Sequence, residues 1–255
     1  MKAYRSLCLS TLVLILCAAL SHPAAAAEST MTLEPFGTVT LYHESPRPIH
    51  PINIAIFISG DGGWKLGVVD MARELMGEDS LIAGVDIRHY MKAAANQPDH
   101  CFDPSGDFSA LGRAIEKKLG YTKHAEPVLV GYSSGATLVY AAMVQAKPHT
   151  FGGGVSLGFC PDLFVHPPIC EGSGLTWKKD PHGQGIDFQP ADTQAPWYAL
   201  QGDIDQICTP EDTRAYLKKV PNGNLVWLHK VGHGFSVPKN WMRQLKESFA
   251  KATGQ

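Results

Sequence analysis

The stretch Pro127–Val144, PVLVGYSSGATLVYAAMV, constrains this chain more than any other part of it. Val128, Leu129 and Val130 form a short apolar run of the kind buried on both faces of a parallel sheet. Beyond Gly135, the residues Leu138, Val139, Ala142 and Met143 recur at helical spacing until Pro148 ends the pattern. Between strand and helix stands Gly131-Tyr132-Ser133-Ser134-Gly135, a G-x-S-x-G. In that context a sharp turn holds the central serine strained and exposed, and the glycines are needed because side chains there would meet the neighbouring strand and helix. The sequence carries its own control. Gly154-Val155-Ser156-Leu157-Gly158 fits the same pattern but runs into Phe159, Cys160 and Pro161 with no amphipathic helix, so it reads as the end of a buried strand. Ser133 is therefore the candidate nucleophile, and Ser156 is not.

Residues 1–27 read as an export signal that is cleaved. Lys2 and Arg5 open it, an apolar run spans Leu7–Leu20, and small residues fill Ala24–Ala27, with an A-x-A match at Ala25 and Ala27. The run is shorter than the ~20 residues that span a bilayer, and bulky Leu16 before Cys17 does not fit a lipidated signal. A mature start near Glu28 and a periplasmic location are expected. Removing 27 of the 255 residues leaves 228, the size of one α/β domain. Losing Lys2 and Arg5 moves the formal charge from -2 to -4, and this mild acidity argues against nucleic acid as a partner. Of six cysteines, Cys101, Cys160, Cys170 and Cys208 remain, an even number that predicts two disulfides in an exported chain. Three connectivities are open. The expected one joins Cys160 to Cys170 across a short loop and leaves Cys101 for Cys208. No C-x-x-C accompanies them, so neither a metal nor a cofactor is expected.

In chain order, Met31–Glu44 reads as an antiparallel edge hairpin broken at Gly37, and Ile52–Ser59 as the first central strand. Gly60-Asp61-Gly62-Gly63-Trp64 follows, then a helix expected over Lys65–Met76, a strand over Ser80–Ile87 and a helix over Phe108–Leu119. After the serine turn and its helix come strands at Gly153–Phe159, Pro196–Leu200 and Leu225–Lys230, with helices opening at Pro210 and Pro238. Strands alternating with helices at this spacing indicate a mostly parallel, doubly wound α/β sheet. Residues 161–195 break the pattern, being rich in Pro and Gly without periodicity, and read as a cap-like insertion over a site. In it, apolar Ile169 and Trp177 stand next to Lys178 and Lys179.

A serine hydroxyl needs a base to take its proton and an acid to orient that base. In this architecture the order is Ser, acid, His. Gln201-Gly202-Asp203-Ile204-Asp205 follows one strand and Gly232-His233-Gly234 another, both on the edge of the sheet that bears the serine turn. His233 is the candidate base. His229 lies within the run read as the last strand and is the structural alternative. Asp205, three residues after Gly202, is preferred as the acid; Asp203 is the other possibility. The tetrahedral intermediate needs two amide donors, for which Ser134 and Asp61 are expected. The Asp61 side chain either selects a substrate ammonium or caps the following helix. Asp61, Gly62, Trp64 and Tyr132 form the candidate substrate-contacting set.

Ser59-Gly60-Asp61-Gly62-Gly63-Trp64, Gly131-Tyr132-Ser133 and Cys208-Thr209-Pro210 together resemble the VirJ/AcvB family of exported bacterial virulence-associated proteins. The resemblance implies an α/β-hydrolase fold and hydrolysis of aminoacyl-phosphatidylglycerol, with nucleophile, acid and base falling on Ser133, Asp205 and His233. With such a substrate, Ile169, Trp177, Lys178 and Lys179 of the insertion are expected to touch acyl chains and the lipid phosphate. It also implies a possible place beside a secretion system as a non-catalytic partner. A complete Ser, Asp and His set at three strand ends favours an enzyme, and a general carboxylesterase is the remaining alternative.

Overall fold

In the computed structural model, residues 25–45, 53–77, 80–97, 100–165, 168–180 and 185–255 are described. Residues 1–24 of the expected signal lie outside that set. Its last three residues open strand β1 (Ala25–Leu33), so the edge hairpin begins before the expected cleavage point. β1 pairs antiparallel with β2 (Gly37–Ser45), and β2 continues antiparallel onto β4 (Ser80–Val85). β3 (Asn53–Ile58), β5 (Val128–Tyr132), β6 (Gly153–Leu157), β10 (Trp197–Gly202) and β11 (Gly223–Leu228) complete an eight-stranded sheet. Its order is β1-β2-β4-β3-β5-β6-β10-β11, parallel from β4 onward. The chain leaves β3 for β4 on one side and returns to β5 on the other, and such reversals open a crevice at the carboxyl ends of the strands.

Every residue of β3 and β4 is buried, because helices cover both faces. Ile54, Ile56 and Ile58 pack on one face with Leu111 and Ile115 of α3 (Pro104–Leu119), Leu138 of α4 (Ser134–Gln145) and Tyr216 of α5 (Pro210–Leu217). Ala55 and Phe57 pack on the other with Met71 of α1 (Val69–Glu74) and Leu245 of α6 (Met242–Ala252).

Several local expectations need correction. α1 is much shorter than Lys65–Met76, since Gly67 sits at φ +94° and leaves residues 64–68 as turn. An unexpected helix, α2 (Ile87–Ala95), starts where Asp86 caps the Arg88 amide at 3.0 Å. Pro238 opens a three-residue 3₁₀ turn, with α6 beginning only at Met242. Trp64 is a core residue: its indole N–H donates to the Tyr42 hydroxyl at 3.0 Å, and it lies over Gly84 so closely that a Cβ there would sit 2.0 Å from its ring.

The described residues of the insertion are packed onto the domain. β7 (Asp162–Leu163), β9 (Ile186–Phe188) and β8 (Trp177–Lys179) form a small antiparallel sheet. Leu163, Val165, Ile169, Leu175, Ile186 and Phe188 are buried in the core. Ile169 is thus not free for acyl chains, being fully buried, whereas Trp177 is half-buried against the core with its indole donating to the Ile169 carbonyl at 3.0 Å. The disulfides join Cys101 to Cys170 and Cys160 to Cys208, not the expected pairs. Ile169 bridges to Phe102, so the insertion runs back past the start of α3, bringing Cys170 to Cys101 and leaving Cys160 facing the loop after β10.

Candidate active site

The site is built on the turn between β5 and α4. Ser133 adopts φ 55° and ψ -124°, a conformation side chains avoid, and its amide is tied to the Leu157 carbonyl of β6 at 2.9 Å. A Cβ at Gly131 would lie 2.2 Å from the Gly135 carbonyl oxygen, and one at Gly135 would lie 2.4 Å from the carbonyls of Ile58 and Ser59. Both glycines are therefore demanded by the tight packing of β3, β5 and α4.

Ser133 Oγ lies 2.9 Å from Nε2 of His233, whose Nδ1 lies 3.0 Å from Oδ2 of Asp205. The three residues come from the loops after β5, β10 and β11. Asp205 is held on its other side, Oδ1 accepting the amides of Ile207 at 2.8 Å and Cys208 at 3.0 Å. Burial acts to raise the Asp205 carboxyl, but the bond to His233 and the two amides outweigh it and hold it below the ordinary carboxylate range. Tyr132 donates its hydroxyl to the His233 carbonyl at 3.0 Å and packs beside the imidazole. Burial, and then the charge of Asp205, raise the Tyr132 phenol, so it stays a neutral donor.

Asp203 pairs elsewhere. It accepts from His229 at 2.7 Å and from the Lys230 amide at 2.7 Å. His229 lies just past the end of β11, not inside it, with its ring exposed.

A cleft of about 160 Å³ opens over Ser133, lined among others by Asp61, Thr137, Asp162, Phe164, Ile207 and His233. Asp61 is in it; Gly62, Trp64 and Tyr132 are not part of its wall. Asp61 does not cap α1, whose N-terminus has no side-chain cap; its Oδ1 accepts the Ser134 hydroxyl at 2.6 Å across the cleft floor. A Cβ at Gly60 would come 3.0 Å from that of Ser133, so the loop after β3 lies directly against the serine turn. Among the described residues, neither the Asp61 nor the Ser134 amide meets a protein acceptor. Asp205, Cys208 and His233 lie close enough to suggest a metal site, but Cys208 is bonded to Cys160 and offers no thiolate.

Residues 53–150 match the model of the VirJ family, described as a bacterial virulence protein. No curated protein matches the sequence. Among solved structures, the chain is similar to an esterase domain from Rhodothermus marinus, at 14% identity and a TM-score of 0.57 over 90% of this chain and 98% of that one. It is also similar to Est1E from Butyrivibrio proteoclasticus, at 13% identity and a TM-score of 0.53 over 89% of this chain and 99% of that one. At such identity the likeness is one of fold, and the fold is that of the α/β-hydrolases.

The VirJ match covers β3, the loop with Asp61 and the serine turn, but ends before Asp205 and His233. Sequence reasoning missed Thr137, Asp162, Phe164 and Ile207 in the cleft wall. Thr137 lies in the first turn of α4, and its hydroxyl donates to the Cys160 carbonyl at 2.7 Å. Asp162 and Phe164 lie in the stretch without periodicity, where no local signal marks them. Ser156 is structural: its hydroxyl donates to the Ala136 carbonyl at 2.8 Å and accepts from the Trp197 indole at 3.0 Å.

Proposed function

We propose that this chain is a periplasmic serine hydrolase of carboxylic esters, acting on an aminoacyl ester of phosphatidylglycerol. The observation that carries the chemistry is the unbroken line from Ser133 Oγ through the His233 ring to Asp205, at 2.9 and 3.0 Å. Asp205 holds the proton of His233 on Nδ1, leaving Nε2 to accept the Ser133 proton as Oγ attacks the ester carbonyl. The oxyanion is met by the free amides of Ser134 and Asp61. As the intermediate collapses, His233 returns the proton to the departing glycerol oxygen. Water then attacks the acyl-enzyme with His233 again as base, and the free amino acid leaves.

The aminoacyl part of the substrate rests on charge, and the lipid part on the resemblance to the VirJ family. Among the described residues, the cleft wall carries two carboxylates, Asp61 and Asp162, and no lysine or arginine. A carboxylate next to an oxyanion hole opposes the developing charge unless something offsets it. Oδ1 of Asp61 is occupied by Ser134, which leaves Oδ2 for an ammonium. An aminoacyl ester carries that ammonium one carbon from the scissile carbonyl. The test is kcat/KM for an aminoacyl-glycerol ester against its N-acetylated counterpart. Wild type should prefer the charged ester, and Asp61→Asn should lose most of that preference while keeping activity on the acetylated one. Equal rates for both esters in the wild type would make this a general carboxylesterase.

A further inference from the structure

Among the described residues, six large apolar side chains are exposed, and five of them share one edge of the molecule. Leu66, Phe164, Ile204, Ile207 and Val237 are 70, 72, 60, 70 and 40% exposed. They stand on the four segments that follow β3, β6, β10 and β11, all at the carboxyl ends of the parallel strands. The sixth, Trp227 on β11, is covered by the Arg214 guanidinium, 4.0 Å from its ring.

The five surround the cleft. Phe164 and Ile207 form part of its wall. Leu66 lies against Gly62, next to Asp61: a Cβ on that glycine would be 3.5 Å from the Leu66 Cβ. The Ile204 amide donates to the Val231 carbonyl at 3.2 Å, two residues from His233. Val237 stands between His233 and α6, its carbonyl accepting the Asn240 amide at 3.0 Å. Protruding apolar side chains on separate loops are costly in water and mark a face that is covered in use.

The same loops carry Lys65, Lys230 and Lys239, all exposed and, among the described residues, none in an ion pair. The exposed carboxylates of these loops, Asp61 and Asp162, line the cleft itself, and Asp203 is paired with His229, so the three lysines stand outside the cleft as the free charges of the rim. Lipid phosphates would complement them.

We propose that this edge is a docking face for an anionic phospholipid bilayer. The five apolar side chains enter the headgroup layer, the three lysines rest on phosphates, and the mouth of the cleft opens onto the lipid surface. The purpose rests on the lipid-ester reading above, but the binding does not depend on turnover.

The experiment measures cosedimentation of the protein with vesicles of phosphatidylglycerol and phosphatidylcholine in equal parts, and with vesicles of phosphatidylcholine alone. Wild type should bind the anionic vesicles better, with the difference shrinking as salt rises. Leu66→Ser with Val237→Ser should weaken binding by about tenfold or more, with kcat/KM on a soluble short-chain ester unchanged. Lys65→Gln, Lys230→Gln and Lys239→Gln together should remove the preference for anionic vesicles. The proposal is overturned if wild type binds neither vesicle or if the serine variant binds as well as wild type. It is equally overturned if light scattering finds a dimer that the serine variant dissolves, which would make the face a contact between copies. Vesicle binding without any ester hydrolysis would instead defeat the catalytic reading and leave the docking face standing.

Discussion

Two aspartate–histidine pairs stand side by side where β10 and β11 end, alike in chemistry and unlike in setting. Asp203 and His229 have the shorter hydrogen bond, 2.7 Å against 3.0 Å for Asp205 and His233. Yet the His229 and Asp203 side chains are 77 and 19% exposed, whereas those of His233 and Asp205 are 16 and 1% exposed. Only His233 has a nucleophile on its far side. Both aspartates accept backbone amides, but only the Asp205 loop is pinned by a disulfide, at Cys208. A close Asp–His contact is thus not sufficient to make a base. Burial, a neighbouring disulfide and a serine within reach distinguish the two pairs.

The comparison breaks first at the histidines. His233→Ala, like Ser133→Ala, should lower kcat/KM for ester hydrolysis by roughly 10⁴-fold or more, and His229→Ala should change it less than about twofold. Steady-state rates on a soluble ester check both. An inactive His229→Ala with an active His233→Ala would reverse the assignment. Among the acids, Asp205→Asn should cost about 10²- to 10⁴-fold in kcat, because an amide does not hold the same imidazole tautomer. Asp203→Asn should leave kcat nearly intact.

The disulfides sharpen the contrast. Replacing Cys160 and Cys208 with Ser should lower stability by about 2–4 kcal/mol and also reduce kcat, since Cys208 supplies one of the amides that hold Asp205. Replacing Cys101 and Cys170 should lower Tm comparably and spare kcat. Calorimetry paired with kinetics on the two double variants separates these outcomes.

Acid should reveal both pairs. Asp203 and Asp205 are each held below the ordinary range; in each, burial acts upward and the histidine bond and backbone amides act downward more strongly. A carboxyl lowered in the folded state stabilises it above the unfolded value, about 3.9. That contribution is lost as pH falls through the lower folded value. Tm measured from pH 6 down to pH 3 should therefore fall less steeply in Asp205→Asn, and only slightly less steeply in Asp203→Asn, whose exposed pair is screened by solvent. The smallest effect on activity belongs to Ser156→Ala, which should leave kcat alone and cost about 1–3 kcal/mol of stability from the acceptor and donor it leaves unpaired.

Much of this was legible in the sequence because it is written locally. Continuous apolar runs mark β3 and β5, and a G-x-S-x-G set before a helical period marks the turn at Ser133. Asp205 and His233 could be chosen because strand ends and chain order restrict where an acid and a base can stand. What was illegible depends on packing at a distance. The disulfide pairing follows from the path of the insertion beside α3, which no spacing encodes. Trp64, after three glycines in a loop facing the site, looked like a substrate contact because nothing near it in sequence reveals the space left over Gly84. The start of α1 was misread because Gly67 fits a helical pattern by neighbourhood but adopts φ +94°. α2 escaped notice although Asp86 had the chemistry of a cap.

The Gly84 position makes the middle of the sheet a remote control for the cleft. Trp64 lies over it, and the Trp64 amide donates to Oδ2 of Asp86 at 3.2 Å, so ring and backbone together set where the preceding glycine-rich turn rests. Any side chain added at Gly84 must lift the indole, and the turn that carries the Asp61 amide would shift with it. In a random-mutagenesis screen scored on activity, residue 84 would be flagged alongside Ser133 and His233, though it lies inside a buried strand and would never touch substrate.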